Sequence, residues 1–240
     1  MFRKLKRMYI RDLSNPKLIG FFTMAEYFER SALYKDLSKL APKLQGKLLD
    51  IGCGEKPYKN LCKNTDEYVG LEIDRNNKYA DEFYDGENIP FDDKSFDSIM
   101  SNQMIMYVAN PDKLLKEMNR IIKIDGMLLV STPFLGYLTS SNDSVRYSLT
   151  GLKNILHENG FKAIECKESA NGVEAVFHLI NIYFLHFSIK NRYFRKVFSL
   201  IFTIPINIVG LVLSKLLPRD NNLYLNNIIL AKKNKDIKGK

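Results

Sequence analysis

The sequence predicts an α/β protein: a mostly parallel sheet covered by helices on both faces, with an apolar helical insertion before the last strand. Short apolar runs (LLDI, YVGLEI, FDSIMS, MLLVST) alternate with stretches of helical periodicity, the pattern of parallel strands joined by crossovers. The first run passes straight into a bare turn, LLDIGCGEKPY at residues 48–58, and such sheets bind ligands where strands end and their order reverses. A long apolar stretch precedes the last strand-like run.

Taken in order, residues 24–40 place Tyr27, Phe28, Leu33, Leu37 and Leu40 at roughly helical spacing, and Pro42 ends that helix. Residues 47–51 form the first strand. Pro57 is expected to open a helix, where its missing N–H costs nothing. Residues 68–73 make the second strand, 81–85 a short third and 96–101 a fourth. Asn110 caps a helix starting at Pro111 that turns Leu114, Leu115, Met118, Ile121 and Ile122 inward. Gly126 is expected to break that helix before a fifth strand at 127–132. A helix over about 150–159 stops at Gly160, residues 161–167 make the sixth strand, and residues 222–231 close the sheet.

A chain of 240 residues can bury one sizeable core with a moderate insertion. Its 45% hydrophobic and 26% charged residues exclude a disordered chain. Cys53, Cys62 and Cys166 are odd in number and without metal-ligand spacing. A disulfide scaffold and a zinc module are thereby excluded, and a reduced compartment is expected. The start, MFRKLKRMYIR, is too basic for a secretion signal, which favours the cytoplasm. The net charge of +9 crowds into residues 3–11, 190–196 and 231–240. Apolar stretches beside the first two clusters favour an anionic membrane surface. No aromatic–basic platform suggests nucleic acid.

The first strand delivers Asp50 to the sheet's carboxyl edge. Gly52 and Gly54 then remove side chains where a ligand comes close. Glu72 ends the next strand 20 residues after Gly52, the spacing at which an acid accepts hydrogen bonds from a ribose diol. The turn is no phosphate cradle: it lacks the GK[ST] ending, and Glu55 would repel a pyrophosphate. Asp50 and Glu55 suit a cationic, ribose-bearing ligand, a sulfonium or an amine.

The blocks LLDIGCGEKPY, YVGLEID, YDGENIPFDDKSFDSIMSNQMIMYV and LLKEMNRIIKIDGMLLVSTPF, within residues 45–165, resemble a class I S-adenosylmethionine-dependent methyltransferase. The short turn GCGEKPY and the later DSVRYSLTGL resemble the branch found among bacterial polysaccharide-biosynthesis enzymes. The resemblance implies a Rossmann-like seven-stranded sheet, its last strand antiparallel, and S-adenosyl-L-methionine as cofactor. It implies that Asp50, Gly52 and Gly54 line the methionine part and that Glu72 holds the ribose hydroxyls. Asp85 would face the adenine amino group with Gly86 and Glu87 beside it, and Asn102 and Gln103 would continue the contacts. Two positions depart from the pattern: Lys56 stands where a third glycine is common, and Met106-Tyr107 where Glu-His is usual. Asp97 is expected to stabilise the start of its strand, and Cys53 to pack within the turn.

An acceptor would enter after the fifth strand. There Asp143 is the candidate base for a hydroxyl proton, Arg146 the candidate clamp for an anionic group, and Tyr147 and Tyr107 candidate pocket walls. The competing reading pairs Arg146 with a carboxylate and uses Ser148 or Thr150 as a helix cap. The three histidines read as structural. Three parts are expected: residues 1–40 as a basic segment and lead-in helix, 41–170 with 218–235 as the methyltransferase domain, and 171–217 as the insertion. Within the insertion, residues 197–214 are 18 consecutive uncharged residues, the lower edge of a spanning length. One span would strand the closing strand across the bilayer, and two would translocate KNRYFRK. A helical pair lying in the membrane surface, with Pro205 permitting a bend and Phe2, Leu5 and Tyr9 as a second contact, is therefore expected. A homodimer interface is the alternative. The functional expectation is a methyltransferase at the inner membrane face acting on a lipid-linked glycan precursor, a lipid or a related small acceptor. The alternative is a degenerate fold acting as a membrane-associated scaffold or regulator.

Overall fold

The computed structural model describes residues 15–16, 18–138, 143–187 and 192–237. The basic amino-terminal segment, with Phe2, Leu5 and Tyr9, lies outside the described residues. Seven strands, β1 (Gln45–Ile51), β2 (Asn64–Glu72), β3 (Glu82–Phe83), β4 (Phe96–Asn102), β5 (Ile122–Pro133), β6 (Phe161–Asn171) and β7 (Tyr224–Lys233), form one sheet in the order β3-β2-β1-β4-β5-β7-β6. The pairs β1–β2, β1–β4, β2–β3 and β4–β5 are parallel. The closing strand slots between β5 and β6. Because β1 sits between β2 and β4, strand order reverses there, and the carboxyl end of β1 is where sheets of this kind bind ligands.

The helices are α1 (Leu18–Thr23), α2 (Tyr27–Leu40), α3 (Pro111–Ile121), α4 (Leu149–Glu158), α5 (Val173–Phe187) and α6 (Arg192–Leu216). Two compact units divide the chain: one takes the described residues up to Asp36, Leu135–Tyr137 and Glu168–Asn226, and the other takes Leu37–Phe134, Leu138–Lys167 and the residues from Asn227 on. In the second, Leu49, Ile51, Ile99 and Val130 of the strands pack against Leu114, Leu115 and Met118 of α3 and Leu152 and Leu156 of α4. Asn110 Oδ1 accepts from Lys113 N at 3.0 Å and starts α3. Ser148, not Thr150, caps α4 by accepting from Gly151 N at 3.1 Å.

Two sequence expectations are corrected. The helix expected at Pro57 is only a 3-10 turn, Lys59–Leu61. β2 begins at Asn64 rather than 68, which leaves room for a turn but not for a helix with loops at both ends. Nor does Gly126 end a helix. α3 stops at Ile121, β5 follows at once, and Gly126 lies inside that strand. A Cβ there would lie 2.8 Å from the carbonyl oxygen of Asp97, beside the register shift between Phe96 and Ser98. Glycine therefore serves close strand approach. Asp97 meets its expectation: its Oδ2 accepts from Lys47 N at 2.9 Å and its Oδ1 from Lys123 Nζ at 2.7 Å.

The basic carboxyl-terminal run is not all surface charge. Lys233 is fully buried in β7, and its ammonium donates to the carbonyls of Asn119 (2.6 Å) and Ile122 (2.9 Å) at the end of α3. Asp236 pairs with the same ammonium at 2.7 Å. A cation thus caps the carboxyl end of a helix dipole and satisfies orphan carbonyls.

In the first unit, Asn181 of α5 donates to Asn207 of α6 at 2.8 Å, and Asn207 donates to the Phe21 carbonyl of α1 at 2.6 Å. His178 is buried 3.7 Å from Glu29. Burial pushes its pKa down to about 4, so the ring is neutral near pH 7 and the contact is not an ion pair. The helix α6 runs through Pro205. Among the described residues no helix is long and apolar enough to cross a membrane.

Candidate active site

The parallel register sets Asp50 opposite Gly70, flanked on the same face of β2 by Tyr68 and Glu72. The Tyr68 hydroxyl donates to Asp50 Oδ2. Gly70 is bare because other side chains fill its place: a Cβ there would lie 2.3 Å from Lys56 Cε and 2.8 Å from Cys53 Sγ. Asp50 is 3% exposed, and burial raises its pKa to about 7 against the opposing pull of the Tyr68 hydrogen bond and the Lys56 charge. Burial also pushes the Cys53 thiol up to about 12, which leaves it without thiolate character near neutral pH.

The two glycines of the turn do different work. Gly52, at φ 73°, has Met104 against it: a Cβ would lie 2.5 Å from Met104 Cγ. Gly54, at φ 50°, faces open space, and its N–H donates to Glu72 Oε2 at 3.1 Å. Glu72 Oε1 accepts from Ile73 N at 2.9 Å. The half-buried carboxylate thus joins the turn to the end of β2 and keeps acceptor capacity for a further donor pair. At the position of the third glycine, Lys56 holds the left-handed conformation a glycine would adopt freely, φ 54°. That conformation costs roughly 1–2 kcal/mol. An ion pair with Asp81, which also accepts from Gly70 N at 2.7 Å, holds Lys56 there.

Asp85 follows β3 and is drawn beside Glu72 by the bond from Tyr84 N to the Glu72 carbonyl at 3.1 Å. Its exposed carboxylate accepts from Asn88 N (2.7 Å), Glu87 N (2.8 Å) and Asn88 Nδ2 (2.9 Å), which hold its pKa near 2. Asp85 thus organises its own turn, and an adenine amino group would share its oxygens with those donors. Gly86 turns at φ 91°, and Glu87 pairs with Lys113 at 2.7 Å.

At the end of β4, Asn102 Oδ1 accepts from the Ser131 hydroxyl of β5. Gln103 takes a positive φ of 53°, with its N–H donating to the Ser131 carbonyl at 2.9 Å. This turn leads the chain to Met104, which fills the space left by Gly52. Beyond β5, the Ser144 N–H and hydroxyl both donate to the Met106 carbonyl, at 2.9 and 3.1 Å, tying the segment around Ser144 to the 3-10 turn Ile105–Tyr107. The candidate base Asp143 and the candidate clamp Arg146 lie paired with each other: Arg146 Nε donates to Asp143 Oδ1 at 3.1 Å and Nη2 to Oδ2. Tyr147 packs on the core, its carbonyl accepting from Asn227 Nδ2 at 2.7 Å. Tyr107 is exposed and Met106 buried.

Tyr68, Met104, Asp81 and Ser131 shape this site without having been singled out from the sequence. Only Tyr68 left a signal, since YVGLE places Tyr68, Gly70 and Glu72 on one face of a strand. A cavity of 580 Å³ lies at the opposite edge of the sheet, lined by Gln45, Ser98, Lys123 and Met127, away from Asp50 and Glu72. Among the described residues no group of three His, Cys, Asp or Glu is placed to hold a metal.

The seven-stranded, mostly parallel sheet with its helices is a Rossmann-like fold of the kind that methyltransferases adopt. Residues 49–130 match the family described as a methyltransferase domain. An uncharacterised protein of Methanocaldococcus jannaschii is 24% identical over 164 residues, 59% of this chain and 78% of that one. Among solved structures, an S-adenosylmethionine-dependent methyltransferase from Mesorhizobium loti aligns with a TM-score of 0.56 at 13% identity, over 85% of this chain and 99% of that chain. Phosphoethanolamine N-methyltransferase 2 of Haemonchus contortus, in complex with S-adenosyl-L-methionine, aligns at 0.53 with 16% identity, over 94% of this chain and 60% of that one. The [4+2]-cyclase SpnF also aligns at 0.53, with 18% identity, over 84% of this chain and 82% of that one.

The residues present fit a nucleoside sulfonium: its bulk would find open space at Gly54, its diol would find an acceptor in Glu72, and its charge would find a countercharge in the buried Asp50 once ionised. Because the folded pKa of Asp50 lies above the ordinary 3.8, its contribution to stability is complete below that value and is lost as pH rises through about 7. A cationic ligand favours the ionised carboxyl and so displaces its proton. The affinity for S-adenosylmethionine is therefore expected to rise with pH from about 5.5 and level off above 7, by at most about tenfold per unit. Calorimetry in buffers of different ionisation enthalpy reads the proton release. Asp50→Asn removes both the slope and the release, and a flat profile in the unaltered protein would refute the linkage.

Proposed function

We propose that this protein transfers a methyl group from S-adenosylmethionine to an acceptor at the cytoplasmic membrane face. The observation that supports this most is the bridge from Gly54 N–H to Glu72 beside open space, at the point where strand order reverses. Glu72 holds the ribose hydroxyls, and Asp50 faces the charged methionine end with Gly52 and Gly54. Asn102 ends β4 and Gln103 follows it, and Asp85 with Gly86 lies beyond the end of β3. The cofactor, when bound, supplies an already activated methyl group. The protein has to aim an acceptor lone pair at it and keep water out.

The Asp143–Arg146 pair marks the acceptor side. Arg146 turned outward binds an anionic group such as a phosphate or carboxylate, and its release frees an Asp143 oxygen to take a hydroxyl proton. Tyr147 and Tyr107 flank that position. GCGEKPY and DSVRYSLTGL favour a lipid-linked glycan precursor as acceptor, with a lipid next. A second reading, a degenerate fold serving as a membrane-associated scaffold or regulator, draws on Met106-Tyr107 and on the cyclase that shares the fold. Titration calorimetry separates the two. The methyltransferase binds both S-adenosylmethionine and S-adenosylhomocysteine, and a folded protein that binds neither refutes the reading.

A further inference from the structure

The two insertion helices carry their polarity inside out. On α6, the buried positions include Thr203 and Asn207, while Ile201, Ile208, Val209, Val212 and Leu216 are exposed. On α5, His178 and Asn181 are buried while Val176, Leu179 and Tyr183 are exposed, Tyr183 by 70%. Asn181 donates to Asn207, and Asn207 donates to the carbonyls of Phe21 in α1 and Met24 just after it, which holds these polar sides inward and leaves the apolar face outward. A soluble amphipathic helix puts its apolar stripe inward, and a contiguous exposed apolar patch marks an interaction surface.

We propose that this face of α5 and α6 is a docking surface that enters one leaflet of an anionic membrane. The stripe on α6 runs about 22 Å along the helix and is wholly aliphatic from Ile201 through Pro205 to Val212. Among the described side chains of α6 from Ile201 on, the exposed positions of this stripe carry no aromatic or Arg anchor of the kind that dominates protein–protein hot spots. Tyr183 of α5, with an apolar ring and a polar tip, suits a membrane interface. In the sequence, basic residues flank the stripe on both sides: Lys190, Arg192, Arg195 and Lys196 before it, and Lys215 and Arg219 after it. A second copy docked antiparallel on this face would bring those like charges together, whereas anionic headgroups neutralise both. The inner face of α6 is bonded to α1, so the helix lies flat rather than crossing. Only its outer side reaches the acyl boundary, about 5–10 Å deep. The surface deepens the reading above by naming the lipid contact, yet its test is independent of methyl transfer.

Flotation of the full chain with vesicles of phosphatidylcholine alone, and of phosphatidylcholine mixed with phosphatidylglycerol, tests the surface. The mixed vesicles bind the protein, and high salt weakens that binding about tenfold. The double variant Ile208→Glu, Val212→Glu binds about a hundredfold more weakly. The exposed Ile124→Glu in the other unit leaves binding unchanged. A dye on Val209→Cys shifts to the blue when mixed vesicles are added. Failure to bind either vesicle, binding untouched by the double variant, or a stable lipid-free dimer that the double variant dissolves would each overturn the proposal. Calorimetry with S-adenosylmethionine on the same samples separates the two readings: cofactor binding without vesicle binding sinks the surface alone, and vesicle binding without cofactor binding sinks only methyl transfer.

Discussion

Replacing Glu72 by leucine is expected to weaken S-adenosylmethionine binding about a hundredfold or more. The carboxylate offers two oxygens to a diol, and hydrogen bonds to a charged acceptor contribute roughly 1.5–3 kcal/mol each, which sets that scale. Leucine keeps the bulk and removes every acceptor. The fold should survive: the Gly54 and Ile73 N–H groups that lose Glu72 sit at an edge where water replaces it. Calorimetry gives the affinity, and far-ultraviolet circular dichroism checks the sheet. Gly52→Val is a harsher companion, because its Cβ meets Met104 at a positive φ. A Glu72→Leu protein that takes up the cofactor as before would remove the ribose contact from the site.

Replacing Lys233 by methionine is expected to destabilise the protein by about 2–4 kcal/mol and to lower its midpoint by roughly 5–15 °C. Methionine fills the space of the stem, so the change isolates the ammonium. The carbonyls of Asn119 and Ile122 lose a buried donor. Asp236 loses one partner but keeps Lys94 at 2.9 Å, and at about half exposure it contributes little to the loss. Urea denaturation measures the change. An unaltered midpoint would mean that the ammonium does not cap α3.

The sheet was legible because its strands are short apolar runs with polar punctuation, a pattern that survives without knowledge of their neighbours. The turn at Gly52 and Gly54 and the acid at Glu72 were legible for a related reason: backbone freedom and strand-end position are local properties. The Pro57 helix failed because the available length depends on where β2 pairs. Gly126 sits in a strand rather than at a helix end, pressed by Ile122 and Lys123 of its own strand and by the Asp97 carbonyl of β4, and that last neighbour is not local in the sequence. Nor does the sequence show that Lys233, one of the basic residues over 231–240, is buried, because the Asn119 and Ile122 carbonyls it meets lie more than a hundred residues away. The apolar stretch over 197–214 was legible as apolar, but the direction it faces was not. Asn207 turns one side of α6 inward through a bond to Phe21.

Read alone, the chain specified its class of fold, the glycine turn after β1 and the acidic end of β2, since periodicity and residue type act over a few neighbours. Folding settled what each side chain meets: Tyr68 on Asp50, Met104 in the space of Gly52, Arg146 on Asp143, and an aliphatic face turned outward. Those partners converge from distant segments, and burial, charge and hydrogen bonding depend on which segments pack together.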